Sequence, residues 1–388
     1  MNLLYNDDQR LLADSAREFL AARSPASRQR ALRDEPQANG FDTRLWQDAV
    51  ALGWSAIPFP ENLGGLDFGC MGLGPIFESI GCNLSASPLL SSVVLSGSLL
   101  HLQGNAQQQD CWLSATISGE RRLALALDEH PRHNPARISL QAVPNGDGYS
   151  LTGDKYCVID GVGADGYLVA ARTGDTSPSQ ARMSLFLIPA DAPGLTVIAL
   201  PLIDSRNHAR LQLEQVQVGP QALLGEAGSA MPALDIALDR GRVCLAAEML
   251  GMSEKLFAMT LDYLKTRVQF EVAIGSFQSL QHRAAQLYVD LALARSAVMA
   301  GLAALDDTRL SEVERQRLAS LAKWKAGQTA IKVVNEAVQM HGGIGVTDEL
   351  DVGLYLKRIR VAQASLGDAD YHCERYGALE LAHAHAHA

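Results

Sequence analysis

At 388 residues, with 47% hydrophobic and 20% charged content, the chain can bury a large core and is expected to divide into two or three domains. Its formal net charge of −10 gives no overall basic field, which argues against nucleic acid or an anionic membrane as a general partner. Six cysteines (Cys70, Cys82, Cys111, Cys157, Cys244 and Cys373) lie far apart with no CxxC spacing, so no zinc site or disulfide framework is expected and the thiols fit a reducing cytoplasm.

The opening MNLLYNDDQR has neither a cationic stretch nor a sustained apolar run, which argues against export. Leu11, Leu12, Ala16, Phe19 and Leu20 recur at helical spacing, and Leu45, Ala49, Val50 and Leu52 repeat the pattern before Gly53. A loop follows at Pro58, Pro60, Gly64, Gly65 and Gly69. The uncharged run from Ser79 to Leu100 is long enough to span a membrane, but its six serines from Ser85 to Ser98, with Asn83 and Pro88, predict a buried helix pair instead.

From about residue 121 the apolar period falls to two. Leu123–Leu127, Ile138–Leu140, Tyr149–Leu151, Tyr167–Ala171, Leu185–Ile188, Leu195–Ile198 and Leu211–Leu213 read as short strands. Turns are expected at Asn145-Gly146-Asp147-Gly148 and Asp191-Ala192-Pro193-Gly194. After Gly225 the helical period returns, with one stripe through Leu287, Leu291, Ala294, Val298, Leu302 and Leu305. A second runs through Leu318, Leu321, Ala330, Val333, Ala337 and Met340. The expected fold is α+β, mostly α: an N-terminal helical domain (1–120), a small central β-barrel or sandwich (121–222) and a C-terminal four-helix bundle (223–388). The alternating His383, His385 and His387 read as a disordered terminus, and no metal site is expected.

Two motifs carry chemistry. Gln339-Met340-His341-Gly342-Gly343-Ile344-Gly345 ends a long amphipathic pattern with glycines, which stop a helix and leave amides open to close approach. Upstream, Tyr263 to Gln278 reads YLKTRVQFEVAIGSFQ. Together they resemble the paired signatures of the acyl-CoA dehydrogenase family of flavoproteins. The resemblance extends through Pro60-Glu61 with Gly64-Gly65-Leu66, through Gly104-Asn105 to Gly119-Glu120, and through the hairpin from Gly148-Tyr149 to Gly153-Asp154-Lys155.

The resemblance implies FAD as cofactor, an acyl-CoA thioester as substrate, a homologous subunit or self as partner in a tetramer, and an electron-transfer flavoprotein as acceptor. It assigns Arg267 to the pyrophosphate, Phe270 and Phe277 to the adenine half, and Gln278, Gln339, Gly342 and Gly343 to the nucleotide of a neighbouring protomer. A guanidinium pairs with phosphate oxygens in a planar fork, and bare glycine amides admit an anion.

The departures carry as much information. The family's TEPxxGSD, whose hydroxyls meet the flavin ring, is here Leu127 to Asn134, with Leu127 for the Thr and His133 for the Ser. The aromatic strand flanking the flavin is Cys157-Val158-Ile159. The glutamate that removes the substrate's α-proton falls at Leu366, and its alternative position before Arg242 is Gly241; neither accepts a proton. Asp368, Asp370 with His372, and Glu271 are the available substitutes, Asp368 being the candidate catalytic residue. This combination resembles the small or β-type subunit of heteromeric acyl-CoA dehydrogenases. A homotetramer with its base at Asp368, or a non-redox CoA-ester scaffold, are the alternatives.

Overall fold

The computed structural model describes residues 4–35, 39–174 and 182–386; the side chains of His383, His385 and His387 lie outside the described residues. Helices α1 (Asp7–Arg23), α2 (Ala26–Asp34), α3 (Thr43–Ala51) and α4 (Gly69–Asn83) precede a π-helical stretch, Leu89–Gly97, which runs into α5 (Ser98–Gln103). Short helices α6 (Ala106–Gln108) and α7 (Ser114–Ile117) lead to strands β1 (Leu123–Ala126), β2 (Gln141–Asn145), β3 (Gly148–Ile159), β4 (Gly166–Thr173), β5 (Arg182–Pro189), β6 (Leu195–Ala199), β7 (His208–Val218) and β8 (Leu223–Leu224). Then come α8 (Met231–Thr266), a hairpin of β9 (Val268–Gln269) and β10 (Val272–Ala273), and helices α9 (Gln278–Asp306), α10 (Glu312–His341), α11 (Val352–Ala364) and α12 (Ala369–Ala386). The uncharged Ser79–Leu100 run is thus two helical segments, nearly all of it buried.

Two compact units result. One comprises Met1–Asp34, Gly69–Ser85 and Arg242–Ala388; the other comprises Glu35–Phe68 and Ala86–Gly241. The second unit holds one eight-stranded sheet in the order β6-β7-β3-β2-β4-β5-β8, with β1 parallel beside β4. Inward-facing Leu151, Val158, Tyr167, Phe186 and Leu211 fill its core, as alternation requires. One strand expectation fails. Ile138–Leu140 is not a strand, because the Glu129 carboxylate takes the Ser139 and Leu140 N–H groups, and pairing with β3 begins only at Gln141.

In the first unit, α9 and α10 form an antiparallel pair; α11 and α12 pack on α10, and α4 packs on α9 and α1. Small residues let the backbones approach. A Cβ on Gly251 of α8 would stand 1.9 Å from the Glu78 carbonyl oxygen, and one on Gly81 of α4 would stand 1.9 Å from that of Glu248. On α10 the buried apolar positions include Ala319, Ala322, Ala326, Ala330, Val333, Ala337 and Met340, the first two one residue off the expected Leu318 and Leu321, which are half-buried. Among the described residues, one helix, α9, is long and apolar enough to cross a membrane by length and composition; half of that apolar window is buried.

Candidate functional site

The site begins where α8 stops. After Thr266, β9 and β10 pair through a two-residue turn whose central residues, Phe270 and Glu271, both have positive φ (52° and 67°). That is the hairpin turn whose twist suits the strands and normally selects Asn or Gly. Glu271 therefore holds a left-handed conformation at roughly 1–2 kcal/mol. Phe270 at the tip is 86% exposed and meets Phe277 edge-on, with ring centroids 6.3 Å apart.

The glycine turn begins where α10 ends. Gly342 adopts φ +65°, donates its N–H to the Gln339 carbonyl, and starts a tight turn over Gly342–Val346. A Cβ added to Gly342 or Gly343 would meet nothing within 4 Å, whereas Gly345 packs on the Val338 carbonyl. The two motifs meet through the Tyr263 and His341 rings, whose centroids are 4.5 Å apart. His341 is fixed in turn by its Nδ1 against the Ala337 carbonyl at 2.7 Å. Arg267, Phe270, Gln278, Gln339, Gly342 and Gly343 are all exposed or partly exposed, and Phe277 is half-buried. Arg267 has no ion pair among the described residues. These features suit the nucleotide half of FAD: a cation free to meet phosphate and amides that no side chain shields.

A separate cluster surrounds Leu366, where the family resemblance would place a general base. Beyond α11 the chain turns through Leu366 (φ +57°) and Gly367 (φ +107°). Leu366 is 7% exposed and offers only methyl groups. The turn is held by two buried cations. Lys323 donates its Nζ to the carbonyls of Gln363 (2.9 Å) and Gly367 (3.0 Å). Arg242 donates Nε to the Leu366 carbonyl at 3.1 Å and Nη2 to the Tyr371 hydroxyl at 3.0 Å. Burial, reinforced by the Arg242 charge, pushes the Lys323 ammonium down to about 7. Sequence reasoning missed Lys323, although a lysine set among Ala319, Ala322 and Ala326 on the inward face was a readable signal.

Asp368 has a structural task there: its Oδ1 accepts the Tyr371 N–H at 2.9 Å, capping α12. Asp370 is exposed, and His372 is buried beside Tyr371. Glu271 sits on the hairpin instead. Lys323 and His341 are separated by 18 positions of α10, roughly 27 Å of helix, so the base-position turn and the glycine turn are remote from one another within the unit.

In the sheet unit, the segment from Leu127 to Asn134 is closed on itself. Lys155, fully buried, donates to the Leu127 carbonyl (3.0 Å) and to Glu129 (2.9 Å). Asp128 binds His133 Nδ1 at 2.8 Å and accepts the Asn134 N–H at 3.0 Å. Cys157 sits at φ +52° in an irregular stretch of β3, and burial with the nearby Asp128 carboxylate raises its thiol to about 11. The thiol is therefore neutral at pH 7. Leu127 is buried, His133 is tied to Asp128, and neither position offers a hydroxyl.

Comparison with known proteins bears on this geometry directly. The family model described as "Acyl-CoA dehydrogenase, N-terminal domain" matches residues 6–120, and "Acyl-CoA dehydrogenase, C-terminal domain" matches 231–378. The chain is 31% identical over 344 residues to acyl-CoA dehydrogenase FadE27 of Mycobacterium tuberculosis, covering 87% of this chain and 88% of that protein. Among solved structures it is similar to a chain of a variant of the Tcur3481-Tcur3483 steroid ACAD (30% identity, TM-score 0.86, covering 97% and 99% of the two chains). It is also similar to a chain of the ChsE4-ChsE5 complex from Mycobacterium tuberculosis (29%, TM-score 0.87, 98% and 99%).

The fold is that of a flavoprotein oxidoreductase acting on acyl-CoA. The chain belongs to the acyl-CoA dehydrogenase family, whose cofactor is FAD. The expectations of family, fold class and cofactor are borne out.

Proposed function

We propose that this chain is the small subunit of a heteromeric acyl-CoA dehydrogenase, working with a homologous, catalytically complete partner in the α,β-dehydrogenation of an acyl-CoA thioester. One contrast carries the proposal. The surface that would grip a neighbour's nucleotide is intact and exposed, while Leu366 and Gly241 occupy both base positions and Leu127 and His133 replace the hydroxyls toward the flavin ring. FAD, when bound, would supply the redox chemistry by taking up the β-hydrogen with its electron pair as hydride, while the electrons of the Cα–H bond form the new double bond. This chain's part is binding: Arg267 neutralises phosphate charge, Gly342 and Gly343 leave the backbone open to close approach, and Phe270 with Phe277 provides an apolar wall. Removal of the α-proton falls to a carboxylate of the partner subunit.

Relatives described as two-component assemblies, ChsE4-ChsE5 and Tcur3481-Tcur3483, support this arrangement. A steroid-type or other bulky acyl group is the substrate class they favour. An electron-transfer flavoprotein as acceptor follows from the family resemblance, and a cytoplasmic setting suits the six free thiols. The test is to purify the chain alone and together with its partner, then measure flavin content and acyl-CoA-dependent bleaching of the flavin spectrum. Both are expected only in the complex. Full turnover by the chain alone would reject the proposal.

A further inference from the structure

The glycine turn is held from outside by α2, and the bonds that hold it are ionic. Helix α2 reads ASRQRALRD and buries Gln29 but no apolar side chain. Two of its arginines reach the segment that follows the turn. Arg33 grips Asp348 in a fork, Nη1 to Oδ1 at 2.6 Å and Nη2 to Oδ2 at 2.9 Å. Arg30 meets the same carboxylate, Nη1 to Oδ2 at 2.7 Å, and extends Nη2 to Asp351 at 2.9 Å. Asp34 fills the remaining side of Arg33, with Nε to Oδ1 at 2.7 Å. Asp351 in turn caps α11 through its carbonyl, which accepts the Leu354 and Tyr355 N–H groups.

Isolated surface ion pairs contribute little, but forked arginine–carboxylate pairs joined in a network are the exception. Here the network has a defined mechanical position. Asp348 is the second residue past Val346, where the turn ends, and Thr347 between them folds back with its N–H and hydroxyl on the Ile344 carbonyl. A Cβ on Gly342 or Gly343 would find no neighbour, so packing does not fix them. At its distal end the turn is held by Gly345 packing against α10, by contact with α11 and by the arginine pair.

We propose that Arg30, Arg33 and Asp348 form a positioning clamp that sets the glycine turn for nucleotide binding and makes flavin retention sensitive to ionic strength. The inference rests on the proposed contact of this turn with FAD. None of the three residues touches the cofactor in this account; they act through the backbone of the turn.

Two measurements test it. In the full chain without ligand, Arg33→Gln and Asp348→Asn are expected to speed amide hydrogen exchange across 342–351 while leaving α9 unchanged; unchanged exchange in the turn overturns the clamp. In the complex with the partner subunit, FAD is titrated by flavin fluorescence at low and high salt. Each variant is expected to weaken binding about fivefold at low salt. High salt should erase most of that difference, and Arg33→Lys should recover part of it. Arg267→Ala and Gly343→Val serve as controls on the underlying contact. If they bind FAD as the parent does, the turn does not meet the cofactor. If they lose binding while Arg33→Gln and Asp348→Asn keep parental affinity at every salt concentration, the clamp alone is refuted.

Discussion

Lys323 shows what a single buried charge does to this bundle. The residue is 2% exposed and its ammonium rests on two carbonyls of the turn that carries Leu366, with Arg242 as a second cation nearby. An unfolded lysine titrates near 10.4, whereas burial holds this one at about 7. Between those values the unfolded chain binds a proton that the folded chain lacks, so Lys323 makes stability rise as pH climbs from about 7 toward 10. Below about 7 the full cost of the buried charge is present. The slope reaches at most about 1.4 kcal/mol per pH unit. Urea midpoints measured from pH 6.5 to 9.5 should rise for the parent beyond any trend shown by Lys323→Met. The variant should be less stable at pH 9, because the Gln363 and Gly367 carbonyls lose a donor, at about 1–3 kcal/mol each. Parallel pH profiles for the two proteins would show that the lysine is not depressed.

Among elements, the helices were legible because their apolar spacing is long and regular, and α9 buries the predicted Leu287, Leu291, Ala294, Val298 and Leu302. Strand edges were less so. The Ile138–Leu140 run alternates like a strand, but a side-chain carboxylate claims its amides, and no local pattern announces a partner that is a glutamate ten residues away. The glycine signature and the hairpin could be read from sequence as candidate site elements; their union through Tyr263 and His341 could not, since it depends on a contact across 78 residues. Helix proximity was likewise hidden, although Gly81 and Gly251 enforce it. A methyl at Gly251 would lie 1.9 Å from the Glu78 oxygen, a backbone atom that moves only with α4 itself. Gly251→Ala should therefore destabilise the fold by roughly 2–4 kcal/mol, well beyond a surface substitution, as read from the shift in denaturant midpoint. A change under about 0.5 kcal/mol would mean that the two helices separate at little cost.

For the whole molecule, the decisive question is whether the exposed apolar tip serves the chain itself or an assembly. Phe270 adopts a strained left-handed conformation to present a ring that is 86% exposed, beside Val268 and Val272, which are 55% and 43% exposed. A solitary chain gains little from that arrangement, because a ring so exposed buries little area beyond its edge contact with Phe277. An interface gains a large rigid anchor of the kind that dominates binding energy. The prediction is a separation of two readouts. Phe270→Ser should leave the isolated chain's unfolding free energy within about 0.5 kcal/mol of the parent, since no core contact is removed. The same substitution should weaken assembly with the partner subunit by roughly 30-fold or more, the loss of a hot spot of about 2 kcal/mol. Flavin should be lost in proportion if Phe270 and Phe277 flank the nucleotide as proposed. Sedimentation of the mixed subunits and absorbance of the retained flavin measure the two effects on one sample. Intact assembly with flavin retained would place the interface elsewhere, whereas a large drop in the stability of the isolated chain would make the ring part of its own fold.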